Sequence, residues 1–181
     1  MINTFAIHVE NKPGVLTRVS SLFRRRAFNI ESLTVGHTDR PGVSRMTIVV
    51  DTDELGARRI EAHLYKLVNV LRVENITQNP AVFRDLAMIK VSATAESRTH
   101  IMQLVDVFRA RVVDVAPDSL IIEITGTEDK IDGLLEVLRP YGVLEMVRTG
   151  RVAMSRGLRS ATTQTEAVRI AEDDHNVFHS V

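Results

Sequence analysis

The residues best placed to do chemistry are Glu10-Asn11-Lys12-Pro13-Gly14-Val15, and the chemistry their types suggest is binding. They join an alternating apolar segment (Phe5, Ile7, Val9) to one with apolar residues at helical spacing (Val15, Val19, Leu22, Phe23). Pro13 suits the first turn of a helix, where its missing N–H costs nothing. Gly14 has no Cβ, so a ligand can approach the backbone closely. The amides that follow, at a helix N-terminus, lack an intrahelical partner and favour an anion such as an amino-acid carboxylate. Asn11 can donate and accept hydrogen bonds. Such a turn can hold a free amino acid without any charged side chain. The same tetrapeptide also makes an ordinary strand-to-helix turn, so its meaning depends on context.

Other chemistry is poorly supplied. There is no GxGxxG fingerprint, Walker loop, GxSxG elbow or Gly-Asp-Gly thiamine-diphosphate signature. Gly126-Thr127-Glu128-Asp129-Lys130 is too short and acidic for a phosphate loop. His8, His37, His63 and His100 lack metal-ligand spacing, and His175 and His179, four apart near the C-terminus, are not taken as a zinc site. Arg24-Arg25-Arg26 reads as a solvated helix end.

The elements that position the turn follow from periodicity. Strand Phe5–Val9 is followed by the helix from Val15. Asn29 to Gly36 is extended, His37 to Gly42 is a polar loop, and Met46, Ile48 and Val50 mark a third strand. Asp51-Thr52-Asp53-Glu54 opens a second helix with the stripe Ile60, Leu64, Leu67, and Val70 to Ile76 is a fourth strand. Thr77 to Pro80 is a short linker, after which the order repeats. Leu86 to Val91 is a strand and Ile101 to Phe108 a helix. Val112 to Val115 and Leu120 to Thr125 are strands, Ile131 to Leu138 is a helix, and Val143 to Val147 is the last strand. Each half is βαββαβ. The fold class is α+β, with two tandem ferredoxin-like domains at 1–77 and 81–157. Residues 158–181 are expected to be a flexible tail, with a short helix near Thr165 to Ala171.

Composition narrows the class. Lys plus Arg and Asp plus Glu balance at 23 each in 181 residues, which argues against a protein built to bind nucleic-acid phosphates. Cysteine is absent, so no disulfide or thiolate metal site is expected, and a reducing cytoplasm is compatible. No apolar run reaches the roughly 18 residues of a membrane span. Met1 leads straight into a strand pattern, so no secretory signal is expected.

A βαββαβ unit with a glycine turn after its first strand resembles the ACT domain, a family of small-molecule sensors. Further motifs narrow this. Phe28-Asn29-Ile30-Glu31-Ser32-Leu33-Thr34-Val35, Ser44 to Ile48 and His63 to Val70 are similar to stretches of the acetolactate synthase small subunits. So are Leu86 to Val91, Phe108-Arg109-Ala110, Val113 to Pro117 and Gly150 to Gly157. The resemblance covers residues 1–157 and leaves out the segment from Leu158.

The resemblance implies a regulatory subunit without catalytic residues, metal or cofactor of its own. Its partner would be a large catalytic subunit carrying thiamine diphosphate, magnesium and FAD, the two forming a transferase holoenzyme of branched-chain amino-acid synthesis in the cytoplasm. The small subunit would activate the large one and confer feedback inhibition, with valine the expected effector. It also implies homodimerisation through paired ACT domains, with the effector at their interface. Asn11, Gly14, Val15 and Leu16 would come from one protomer, Asn29 and Ile30 from the other. On this reading the Gly14-to-Leu16 amides bind the carboxylate. Asn11 and Asn29 engage the ammonium group or brace the turn, and Ile30 receives the side chain.

Three other functions compete with this one. An enzyme lacks the signatures above. An RNA-recognition module shares the strand order, but Arg45-Met46-Thr47-Ile48-Val49-Val50 lacks the aromatic residues it needs. A stand-alone ACT sensor acting on another protein is the best alternative.

Overall fold

The computed structural model describes residues 1–157. The expectations for 158–181, including the short helix and the His175 and His179 pair, lie outside them. The elements run β1 (Ile2–Glu10), α1 (Val15–Arg25), β2 (Ile30–His37), β3 (Val43–Asp51), α2 (Glu54–Leu64) and β4 (Val70–Asn75). The order then repeats as β5 (Ala81–Ser92), α3 (Ala95–Val107), β6 (Arg111–Val115), β7 (Ser119–Gly126), α4 (Glu128–Leu138) and β8 (Val143–Arg148), with β9 (Val152–Ser155) added at the end. The sheets are antiparallel, with strand orders β2-β3-β1-β4 and β6-β7-β5-β8. The α+β class and the two βαββαβ units stand as read from the sequence.

Each sheet buries one face under its two helices. In the first, Phe5, Ile7, Met46 and Ile48 meet Val19 and Phe23 of α1 and Ile60 and Leu64 of α2. In the second, Ile89, Val91 and Ile122 meet Ile101 of α3 and Ile131, Leu134 and Leu138 of α4. Each such side chain contributes about 1.5–3 kcal/mol by leaving water. Leu67, expected to continue the α2 stripe, packs on the first core from beyond the helix, which ends at Leu64.

The repeat extends to details that the sequence does not display. Register shifts fall at His8/Val9 in β1–β4 and at Lys90/Val91 in β5–β8, leaving Leu71 and Leu144 exposed at matching bulges. Helices α1 and α3 end in the same cap. Ala27 and Arg109 take left-handed backbone, with φ of 56° and 52°. Phe28 N–H donates to Phe23 C=O at 3.1 Å and Ala110 N–H to Val105 C=O at 2.9 Å, the long bond of a Schellman motif.

Three expectations are corrected. Pro13 lies outside the first helical turn: Gly14, at φ 82°, is the N-cap, and the helix starts at Val15. The fifth strand begins at Ala81 instead of Leu86. Val143 to Val147 is not the last strand, because Val152–Ser155 pairs antiparallel with Ala81–Arg84. The missed strand reads inside out. Its buried residue is the smallest, Ala153, while Val152 and Met154 face solvent, so hydrophobicity gives no useful alternation.

The β5–β9 ribbon lies over the outer face of the first sheet. Ala153 and Phe83 pack with Ala6 and Ile76, and Thr4, Thr47 and Val49 are also buried. Arg151 binds this seam. Its backbone N–H donates to Ser32 Oγ at 2.9 Å, and its guanidinium donates to Thr4 Oγ1 at 3.3 Å and Glu128 Oε2 at 3.0 Å. The same guanidinium lies 5.4 Å from the Phe83 ring centroid. Gly150, at φ 85°, comes so close that an added Cβ would lie 2.6 Å from Ser32 Oγ. Among the described residues no helix is long and apolar enough to cross a membrane.

The two matching caps predict matching responses. Left-handed backbone costs a residue with a Cβ about 1–2 kcal/mol, part of which glycine returns through its freer unfolded chain. Ala27→Gly and Arg109→Gly should therefore each stabilise the chain by about 0.5–1 kcal/mol in urea unfolding. Destabilisation by either would contradict the left-handed assignment at that cap.

Candidate functional site

Helix α1 begins without a capping side chain or an acidic residue in its first turn. In α2, Asp53 accepts from Gly56 N–H at 2.7 Å. Helix α3 opens with a Thr94/Ser97 capping box, and α4 carries Glu128 and Asp129 in its first turn. Among the four described α-helices, only α1 leaves its positive end bare. Its other end is matched, with Arg24 and Arg25 in the last turn.

The turn ahead of this end is held by three elements. Asn11 N–H donates to Gly42 C=O in the β2–β3 hairpin at 2.8 Å. Glu10 N–H donates to Asn69 C=O at 2.9 Å, and Asn69 Nδ2 donates to Glu10 Oε2 at 2.6 Å. Asn69 Oδ1 also accepts from Arg18 of α1. The hydrogen bond from Asn69, with that from Lys12, holds the Glu10 carboxyl below the usual carboxylate range. Asn69 is thus the brace between β1, α1 and the entry to β4. Gly42 and Arg18 belong to the same frame. Sequence reasoning assigned none of the three to the site, because the brace joins positions up to 59 residues apart.

The predicted residues divide by location. Asn11 and Gly14 are exposed, and nothing lies within 4 Å of where a Gly14 Cβ would sit. Leu16 is exposed beside them, while Val15 is buried in the first core and offers only its amide. That amide makes a long 3.4 Å bond to Lys12 C=O. Asn29 is exposed and donates to Glu31 Oε1 at 2.5 Å, and Ile30 packs partly against the first core. The chain does not bring the two groups together. Gly14 precedes α1 and Asn29 follows it, so the helix's 11 residues separate them by roughly 16 Å at 1.5 Å per residue. Asn29 and Ile30 lie at the start of β2, an edge strand of the first sheet.

The structure thus places Asn11, Gly14, Val15 and Leu16 at the uncapped end of α1 and Asn29 and Ile30 beyond its other end. The seam also holds ionisable groups. Burial, opposed by Arg151 and Arg148, pushes the Asp85 carboxyl above its usual range. Burial and the neighbouring Arg45 hold the His8 imidazole below its usual value.

Family models match both halves of the chain. Residues 5–72 match the AHAS small subunit-like ACT domain, and residues 84–157 match the small subunit of acetolactate synthase. The chain is 52% identical over 157 residues to an Archaeoglobus fulgidus protein described as "Probable acetolactate synthase small subunit", covering 87% of this chain and 98% of that one. It is 50% identical over 157 residues to the acetolactate synthase small subunit of Mycolicibacterium smegmatis, covering 87% and 92%. The crystal structure of the Thermotoga maritima acetolactate synthase small subunit is 41% identical. It superposes with a TM-score of 0.82 over 88% of this chain and 99% of that one.

The left-handed turn sets an energetic expectation. Gly14→Ala introduces a Cβ at φ 82° and should cost about 1 kcal/mol in urea unfolding, although the space is open. Asn29→Ala, on an exposed residue, should change stability by less than about 0.5 kcal/mol. A large loss in the Asn29 variant would mark it as a structural residue instead of a binding one.

Proposed function

The chain belongs to the acetolactate synthase small-subunit family, and from that membership we propose that it is the regulatory subunit of a holoenzyme whose large subunit does the chemistry. In this reading the large subunit carries thiamine diphosphate, magnesium and FAD and condenses pyruvate in the cytoplasm. This chain raises its activity and inhibits it when valine accumulates.

The observation that carries the effector site is the bare N-terminus of α1. Its free amides and positive dipole end suit a carboxylate, and Gly14 leaves room for one to approach the backbone. A second copy supplies the rest. Two chains paired by a twofold axis through their β2 edges run their α1 helices antiparallel. The Gly14 end of one helix then meets the partner's β2 start, where Asn29 and Ile30 sit. The roughly 16 Å gap within a chain is closed between chains. Asn11 and Asn29 engage the ammonium group, and Leu16 and Ile30 meet the aliphatic side chain.

Regulation follows from linkage. An effector bound across two chains stabilises that pairing, and it alters catalysis to the extent that the large subunit prefers another arrangement. A stand-alone sensor would show the same effector binding without a large-subunit partner.

The test is acetolactate formation by the cognate large subunit, with and without this chain, across a valine titration. Gly14→Asp should retain activation and lose valine inhibition, because its carboxylate caps the α1 amides and repels the effector carboxylate. Mixed dimers of Gly14→Asp with Asn29→Ala chains rebuild one intact site of the two. They should recover about half of the valine bound by the parent dimer in equilibrium dialysis, a stoichiometry that follows from the twofold pairing. Full valine inhibition in Gly14→Asp, or no recovery in the mixed dimer, would overturn the shared-site assignment.

A further inference from the structure

Between the two sheets lies a cleft of about 460 Å³, apolar on the first-sheet side at Ile2, Leu33 and Val49 and charged on the other at Asp85, Glu128 and Arg148. Nearly all of its charges are matched. Arg148 lies 2.5 Å from Asp132 and 3.8 Å from Glu128, and Arg151 lies 3.0 Å from Glu128. Glu31 accepts from Asn29. Asp85 is the exception. It is only 6% exposed and lines the cleft, near the Arg148 and Arg151 guanidiniums that partly offset its burial, yet among the described residues its carboxylate makes no hydrogen bond and no ion pair within 4 Å. A carboxylate so shielded and without a direct hydrogen-bond partner is costly, and a ligand or ordered water that reaches it through the cleft would complete it.

The complement of this site is a cation with an apolar flank. We propose that the cleft binds a small aliphatic primary amine, the class to which free aliphatic amino acids belong, with Asp85 as the counter-ion of its ammonium group and Ile2, Leu33 and Val49 against its hydrocarbon. The site is separate from the α1 turn and has walls from both sheets, so its occupant ties the two together.

The two sites share the start of β2. Glu31, on the cleft wall, holds Asn29, one residue of the effector site. A ligand in the cleft therefore changes effector affinity, and the effector changes cleft affinity by the same factor. This coupling rests on the effector reading of Asn29. Binding in the cleft does not.

Hydrogen–deuterium exchange on the full chain separates the alternatives, with L-valine, isobutylamine and isovalerate as probes. Both amines should slow exchange around Ser32–Leu33 and Thr149–Arg151, and isovalerate, which lacks the amine, should not. Asp85→Asn should weaken this protection at least tenfold, for isobutylamine as well, which lacks the carboxylate that the α1 amides would hold. Protection by isovalerate, or undiminished protection in Asp85→Asn, would overturn the proposal without touching the effector reading.

Stability gives the second readout. The folded-state pKa of Asp85 lies above its unfolded value, so its ionisation weakens the fold as pH rises through the folded pKa. Asp85→Asn should therefore melt higher than the parent at neutral pH, with the gain disappearing in acid once the carboxyl is protonated in both states. A lower melting temperature at neutral pH would show that the carboxylate is already satisfied within the fold and would sink the idea.

Discussion

A sheet has two faces, and two helices cover only one of them. An antiparallel sheet can leave its second face in water, but in the first sheet Thr4, Ala6, Thr47 and Val49 on that face are all buried. The β5–β9 ribbon supplies the cover. Because β5 continues from that ribbon into the centre of the second sheet, covering the first unit also fixes the position of the second. The close approach at Gly150 and the contacts of Arg151 lie along this covered face. Among the described residues nothing covers the outer face of the second sheet in this way, and Met88 and Val147 are exposed there side by side.

The same economy appears at the helix ends. Three of the four α-helices answer their free amides with a side-chain cap or with acidic residues, as isolated physics favours. The fourth keeps glycine there and places asparagines and hydrogen-bonded turns around it. A helix end left bare gives up about 1 kcal/mol that a capping side chain would contribute. Such local departures from the stable solution are where a ligand has something to gain.

Much of the fold was legible because it rests on local periodicity. The stripe Val15, Val19, Leu22, Phe23 and the alternation Phe5, Ile7, Val9 each report one element, and the order of elements determines the unit. What stayed hidden depends on contacts distant in sequence. β9 was invisible because a small residue faces inward and larger ones face out. The bracing role of Asn69 was invisible because nothing in its neighbours indicates a hydrogen bond to Glu10. Pro13 was misplaced by two residues because a left-handed glycine, not the proline, starts the helix. The turn itself was legible as a strand-to-helix connection, and the helix between Gly14 and Asn29 was legible from the same stripe. The brace that holds the turn needed the coordinates.

The separation along α1 also constrains how a signal can travel. In the shared-site proposal each end of the helix contributes half of a site that another chain completes, so binding would act on the relation between chains. The element that would carry this relation to the rest of the molecule is β2. It is an edge strand on one side, and on the other it pairs with β3, whose outer face lies under the ribbon. Ser32 and Thr34 of β2 bond to Arg151 and Thr149 of the segment between β8 and β9. A displacement of β2 must strain or break these bonds or carry the second unit with it. Packed interfaces of this kind switch between discrete arrangements more readily than they deform, so a small shift of β2 would be felt in both sheets.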